Sequence, residues 1–418
     1  MTEKVAAPLE FDVERSIGWL MEVLAVEGTT GQEKAISEKI IEILTSVGVP
    51  ESDISYDKAN EKIPLPTETG NLIVRLKGSR RNARRLFMTH MDTVPLCAGA
   101  VPVRKGNKIV PEGVTALGGD NRTGVACLIN TIATLIDNDL PCGPMTFLFT
   151  VREESGLWGA HYVDPKVFDK IEMCFNVDGR DPAKLTIGAV GADRWNVEIT
   201  GKASHAGVHP EQGISATLVA ALALAEVKEN GWFGLVEKDD KVGTSNVGSF
   251  GDADGQSAGN ATNVVTDYVH IKGESRSRAS GFIGEITKAY KAAFQNAAKQ
   301  VTDDQGKTAK VKFSSSRDYH PFEMKEDSPV VRFAVTAAEA MGLEPELVLA
   351  SGGLDANWMV KHGVPTVTFG AGQNEIHTVK EFVDLKEFEA GCRFALQLAT
   401  FPDLEKPKAK KKTAKAKA

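Results

Sequence analysis

The sequence predicts an α/β protein in which a mostly parallel sheet carries helices on both faces and a smaller α+β domain is inserted into the chain. Three observations point there. Nearly continuous apolar runs at 85–91, 145–151 and 171–177 alternate with helix-like stretches, the pattern of strands buried on both sides. Between 194 and 316 the order becomes strand, helix, strand, strand, helix, strand, that of a ferredoxin-like sandwich with its own antiparallel sheet. From 328 the first pattern resumes.

Taken in order, residues 11–27 and 32–47 read as amphipathic helices; in the second, Ile36, Ile40, Ile43, Leu44 and Val47 recur at helical spacing. Strands at 71–76 and 85–91 follow, then a helix at 121–136, a strand at 145–151, a helix at 156–163 and a strand at 171–177. The inserted part comprises strand 194–202, helix 214–229, strands 243–250 and 262–273, helix 280–297 and strand 308–315. Helix 328–341, strand 346–350, helix 355–361, strand 365–369 and a last helix at 384–399 complete the main domain. The expected division is a discontinuous main domain, 1–190 and 322–405, an inserted domain, 191–321, and a Lys-rich tail, 406–418.

A chain of 418 residues is too long for one ordinary core, which agrees with two domains. Hydrophobic content of 42% and charged content of 25% are those of a soluble globular protein. The start, MTEKVAAPLEFD, lacks the features of a signal peptide, and the apolar stretches near 125–136 and 214–227 are too short for a bilayer, so no membrane is expected. Five Cys without a CxxC pair argue against a disulfide framework and for a reducing cytoplasm. The net charge is −7, and the seven Lys of the tail leave −14 on residues 1–405. So acidic a body disfavours nucleic acid as a main ligand. The tail reads as disordered, a solubilising extension or a weak contact for acidic surfaces.

The residues that carry chemistry sit where apolar strands give way to polar or Gly-rich turns. His90 and Asp92 end one strand; two residues apart in an extended segment, they face the same side. A metal-bound His usually donates its other N–H to a carboxylate, a role open to Asp92; alone, the pair also fits a strand-end His beside a solvated Asp. Asp120, within LGGDNRTG, fits either a helix N-cap or a carboxylate bridging two cations. Glu153 and Glu154 end the next strand. Such like charges at a buried edge need a cation or a proton, so one can bind metal while its neighbour takes a proton from water. An exposed loop pair is the plainer alternative. Asp178 ends a further strand, and His377 follows the turn Gly370-Ala371-Gly372. In a parallel sheet, ligand sites lie beyond the carboxyl ends of the strands, and these strands all present a metal-binding side chain at that edge. Three ligand carboxylates, two divalent cations and a bridging hydroxide would make a neutral cluster, tolerable in a partly dry pocket.

The motifs HMDTVP, LGGDNRTG, VREESGLWGA, NVDG, GKASHAGVHPEQG, GESRSR and SGGLDAN…EIHT resemble, in this order, the co-catalytic dizinc exopeptidases related to tripeptidase T. That family also holds aminoacylases and glutamate carboxypeptidases. The resemblance runs from about residue 15 to 400. It implies a zinc exopeptidase-like catalytic domain and an inserted lid and dimerisation domain, hence a homodimer. It also implies two Zn2+ per subunit, with Co2+ or Mn2+ as alternatives, and a short peptide as substrate. His90 and Asp178 would hold one metal, Glu154 and His377 the other, with Asp120 between them. Asp92 would orient His90, and Glu153 would be the general base. His205 would reach a neighbouring subunit's site to stabilise the oxyanion, and Asn263 and Arg276 would grip the substrate. The chain departs from many relatives at Asn121, Arg122 and Thr266, none of which is a ligand. The expected activity is aminopeptidase cleavage of short peptides. A metal-dependent carboxypeptidase, an N-acyl amino acid deacylase or a non-catalytic dimeric binding protein on the same fold are the alternatives.

Overall fold

The computed structural model describes residues 11–252, 254 and 256–404; the tail at 406–418, and the disorder expected of it, lies outside them. Nine strands form the main sheet. Its centre consists of Met145–Thr150, Arg84–His90, Ile171–Val177 and Thr366–Phe369, side by side in that order and all parallel. The edges are antiparallel: Leu72–Leu76 pairs with Met145–Thr150 on one side, and Lys184–Ala189 with Thr366–Phe369 on the other.

The period-two alternation of the central strands sends their side chains to two cores. Phe87, Phe147, Phe149, Phe175 and Phe369 face the helices Val13–Ala25, Lys34–Ser46, Gly119–Asp137, Pro329–Ala340 and Leu385–Thr400. Leu86, Met88, Leu148 and Cys174 face the short helices Trp158–Tyr162 and Ala356–Lys361. Burial on both faces is why these strands read as unbroken apolar runs.

The second sheet has five antiparallel strands, in the order Gly234–Lys238, Lys241–Gly251, Tyr268–Ser277, Gly191–Thr200, Lys310–Tyr319. Omitting the first leaves the ferredoxin-like order expected. The helices Ala216–Glu229 and Ser280–Gln300 cover one face, and Trp195, packed 4.5 Å from Tyr290, fills the core between. Two details differ from the sequence reading. The strand expected at 262–273 begins at Tyr268, because the stretch before it turns back and meets His205 at Val264 through an isolated bridge. The edge strand Gly234–Lys238 was not foreseen; Leu235 and Val236 alternate out and in, over a run too short to register. A hairpin of Val101–Lys105 and Lys108–Glu112 also escaped notice, since Pro102 and Pro111 make it look like loop; both lie on one exposed ribbon.

The last helix is fastened by a buried cation. Arg85 donates to the carbonyls of Leu398, Ala399 and Phe401 at 2.7, 3.2 and 2.8 Å and to Asp403 at 2.6 Å. Replacing it (Arg85→Ala) leaves these three carbonyls without their Arg85 donor and should cost on the order of 3 kcal/mol, read as a lower urea midpoint. Asp403→Asn, at a half-exposed position, should cost about 1 kcal/mol or less.

Candidate metal centre

The four central strands end at one edge, and the side chains just beyond them meet there. His90 closes its strand with a ring only 2% exposed. Its Nε2 lies 3.1 Å from Asp120 Oδ1, while its Nδ1 lies 3.0 Å from the Asp92 carbonyl and 3.4 Å from the Asp92 carboxylate. The other oxygen of Asp120 lies 3.3 Å from His377 Nε2, which is also 2.9 Å from Glu154. Ligand atoms of His90, Asp120 and Asp178 fall within 4.8 Å of one another, and so do those of Asp120, Glu154 and His377. A third set, His90, Glu153 and Glu154, meets the same limit. His90, Asp120, Glu153, Glu154, Asp178 and His377, distant in sequence, thus share one neighbourhood.

Asp120 does not cap its helix. Asn121 does, accepting the Gly124 amide at 3.1 Å, while the amides of Leu117, Gly118 and Asp120 donate to Glu381 at 2.8–3.0 Å. The Asp120 carboxylate is thereby left to the two imidazoles. Asp92 accepts the amides of Glu153 and Glu154 at 2.9 and 3.2 Å, so it holds the acid pair as well as facing His90. The Glu153 carboxylate has no hydrogen-bond or ion-pair partner among the described residues.

The electrostatics follow from crowding acids in a dry place. Burial, reinforced by neighbouring carboxylates, pushes Glu154 up to about 7, Asp178 up to about 6 and Glu153 well above its usual range. Burial works against ionised Asp120 too, but the imidazoles of His377 and His90 outweigh it and hold this carboxyl low. Hydrogen bonds to Asp120 and Glu154 raise His377 to about 10. His90 is also raised, its bonds to Asp120 and Asp92 overcoming burial. Imidazole and carboxylate donors without cysteine, converging from separate elements and presenting both oxygens of one carboxylate to different groups, fit a pair of divalent cations.

The remaining expected residues lie elsewhere. His205 is exposed, and its backbone and ring bonds stay within its own loop and with Val264. Asn263 is exposed, and its carbonyl accepts the Ala206 amide at 2.9 Å. Arg276 is engaged by Glu274 through two bonds, at 2.8 and 2.9 Å. Within one chain none of the three bonds to the acid cluster. Three residues at the site were missed. Gln373 donates to Asp178 at 3.2 Å, Glu381 holds the turn before Asp120, and buried Asp355 bonds Thr150. Asp355 lies inside SGGLDAN, the one available signal; the other two sit in unremarkable loop sequence.

Comparison with known proteins agrees with this geometry. The family described as Peptidase family M20/M25/M40 matches residues 86–400. The uncharacterized protein YqjE of Bacillus subtilis is 31% identical over 375 residues, covering 90% of this chain and 94% of its own. The structure of aminopeptidase PepT from Bacillus cereus is 30% identical with a TM-score of 0.80, covering 93% of this chain and 98% of that one. A tripeptidase from Staphylococcus aureus gives 26% and 0.83 with the same coverages.

A pH dependence follows for the metal-stripped protein. Glu154 and Asp178 hold protons more tightly when folded, at about 7 and about 6, than at their ordinary 4.5 and 3.8. The folded state then binds more protons than the unfolded one, so stability falls as pH rises through that range. The raised imidazoles act in the same direction, and low-lying Asp120 completes its opposite transition at more acid pH. After exhaustive chelation the thermal midpoint should be lower at about pH 8 than at about pH 5, and a divalent metal should restore it at pH 8. Equal midpoints would show that the carboxylates are not crowded.

Proposed function

This chain belongs to peptidase family M20/M25/M40 and is a metal-dependent peptidase; we propose that it is a two-metal aminopeptidase acting on short peptides. The observation that carries this is Asp120, whose two oxygens face two imidazoles from opposite ends of the chain, each with its own further carboxylate. The resemblance to an aminopeptidase and a tripeptidase along nearly their whole lengths supports the choice within the family.

His90 and Asp178 would hold one cation, Glu154 and His377 the other, and Asp120 both; zinc suits these donors, with Co2+ or Mn2+ as substitutes. Cations held there would supply Lewis acidity, lowering the pKa of a bound water and polarising a peptide carbonyl. Glu153, whose carboxylate has no competing partner, takes a proton from the water and passes it to the leaving amine. The Asp92 carbonyl would accept from His90 Nδ1, with the carboxylate close behind, leaving Nε2 as the nitrogen that faces Asp120. The inserted domain serves as lid and dimerisation surface. His205 of the second copy would donate to the oxygen on which negative charge develops. Asn263 and Arg276 would grip the peptide, Arg276 exchanging Glu274 for a substrate group. All five cysteines are buried and unpaired, which suits a reducing cytoplasm.

Glu153→Gln should keep its metals and lose several orders of magnitude in kcat, roughly the contribution of an essential proton carrier. Full activity in that variant would show that another group moves the proton. Asp120→Ala should lose bound metal and activity together, as measured by metal content after dialysis. Against free, N-blocked and C-blocked di- and tripeptides, the enzyme should fail only on the N-blocked set. Cleavage of N-blocked peptides would point to a carboxypeptidase or deacylase.

A further inference from the structure

The turn that carries Glu153 and Glu154 is gripped by a residue 119 positions before it. Glu33, just ahead of the helix Lys34–Ser46, is fully buried. Its Oε1 accepts the amide of Gly31 at 2.7 Å and that of Arg152 at 3.0 Å. Arg152 immediately precedes the acid pair and sits at φ 52, in the left-handed region where a side chain is strained. Asp92 takes the next two amides, those of Glu153 and Glu154. Three successive amides therefore point at two carboxylates.

The surrounding contacts close the same grip. Thr30 Oγ1 lies 2.8 Å from Ser155 Oγ, and the Arg152 guanidinium donates to Thr67 Oγ1 at 2.7 Å, to Ser155 Oγ at 3.2 Å and to the Pro66 carbonyl. Gly31, at φ 93, brings its backbone close: a Cβ there would stand 2.1 Å from Arg152 Nη2 and 3.0 Å from the Pro66 carbonyl. A change in the Arg152 dihedrals would swing both glutamates at once. Asp92 restrains the amides that would swing, and Glu33 restrains the pivot itself.

We infer that Glu33 is a positioning residue for the reaction: by fixing the Arg152 amide it aims Glu153 and Glu154 into the centre. The inference rests on the roles proposed for those two glutamates. Glu33 Oε2 is buried and has no partner among the described residues, so the residue acts as an acceptor at a set reach and not as one arm of an ion pair.

Reach and charge can be separated in the full-length, metal-loaded enzyme. Glu33→Gln keeps an acceptor at the same distance without the charge; Glu33→Asp keeps the charge but withdraws it by one methylene. Glu33→Gln should stay within about threefold of wild-type kcat. Glu33→Asp should lose roughly 10- to 100-fold in kcat with little change in KM or bound metal. The reverse order, or equal activity in all three proteins, would overturn the inference. So would a loss shared by both variants that simply follows their metal content or folded fraction. If wild type cleaves no peptide, or Glu153→Gln remains active, the underlying assignment has failed instead. Full activity of Glu33→Asp in an enzyme that Glu153→Gln inactivates sinks only the role of Glu33.

Discussion

Carboxylates buried a few ångströms apart repel one another, and the arrangement around Asp120 has to answer that repulsion. The chain gathers Asp92, Asp120, Glu153, Glu154 and Asp178 at one sheet edge, with Asp355 and Glu381 close behind. Desolvation makes each of these acids costly to ionise unless something positive lies near. Two imidazoles supply part of the answer, and both converge on Asp120. Divalent cations would supply the rest, for in each of three sets the ligand atoms already lie within 4.8 Å of one another.

The outer carboxylates are neutralised differently. Glu381 accepts three backbone amides, and Asp92 and Glu33 share those of the turn after Thr150. An amide bond compensates a buried charge and at the same time fixes the backbone that donates it. Each outer acid therefore does two tasks: it stays tolerable where it is, and it aims a ligand. Glu381 aims Asp120, Asp92 aims the acid pair and faces His90, and Glu33 controls the residue at the pivot. Buried Arg122, which donates to the carbonyls of Val23, Val26 and Gly28, adds positive charge behind Asp92 and Glu33.

The strands and their end residues were legible because burial on both faces writes an unbroken apolar run, and an acid or imidazole follows where the run stops. His90, Glu153, Glu154 and Asp178 could all be placed that way. His377 was legible only as a residue past the turn Gly370-Ala371-Gly372; it lies eight residues beyond Phe369, in a left-handed conformation after a two-residue strand, and its pairing with Glu154 came from the family resemblance. Asp120 was legible as a special acid, but whether it capped the helix or faced a cation was not. That choice depends on Asn121 and on Glu381, 261 residues away. Long-range side-chain bonds leave no local periodicity, which is why Glu33 and Glu381, acceptors of distant backbone amides, and Gln373, a donor to Asp178, went unread. The inserted domain's order was legible from its alternation of elements, whereas its extra edge strand, half exposed and five residues long, left too faint a pattern.

The insertion joins the main sheet by two crossings that lie side by side. Ala189 pairs with Phe322 in the main sheet, and Ala192 pairs with Tyr319 in the inserted one. Between them Gly191 passes so near Pro321 that a Cβ would stand 2.4 Å from its ring, which restricts that position to glycine. One side chain spans both crossings: Asn357 donates to the Val190 carbonyl at 2.9 Å and to the His320 carbonyl at 2.7 Å. Two residues earlier, Asp355 bonds Thr150, whose strand leads into the acid pair. The SGGLDAN segment supplies no metal ligand, yet it touches both the root of the insertion and the edge that carries the acids. Separating the crossings would break both Asn357 bonds, so they move as one with this segment. The segment thereby links the root of the insertion to the strand that precedes Glu153 and Glu154.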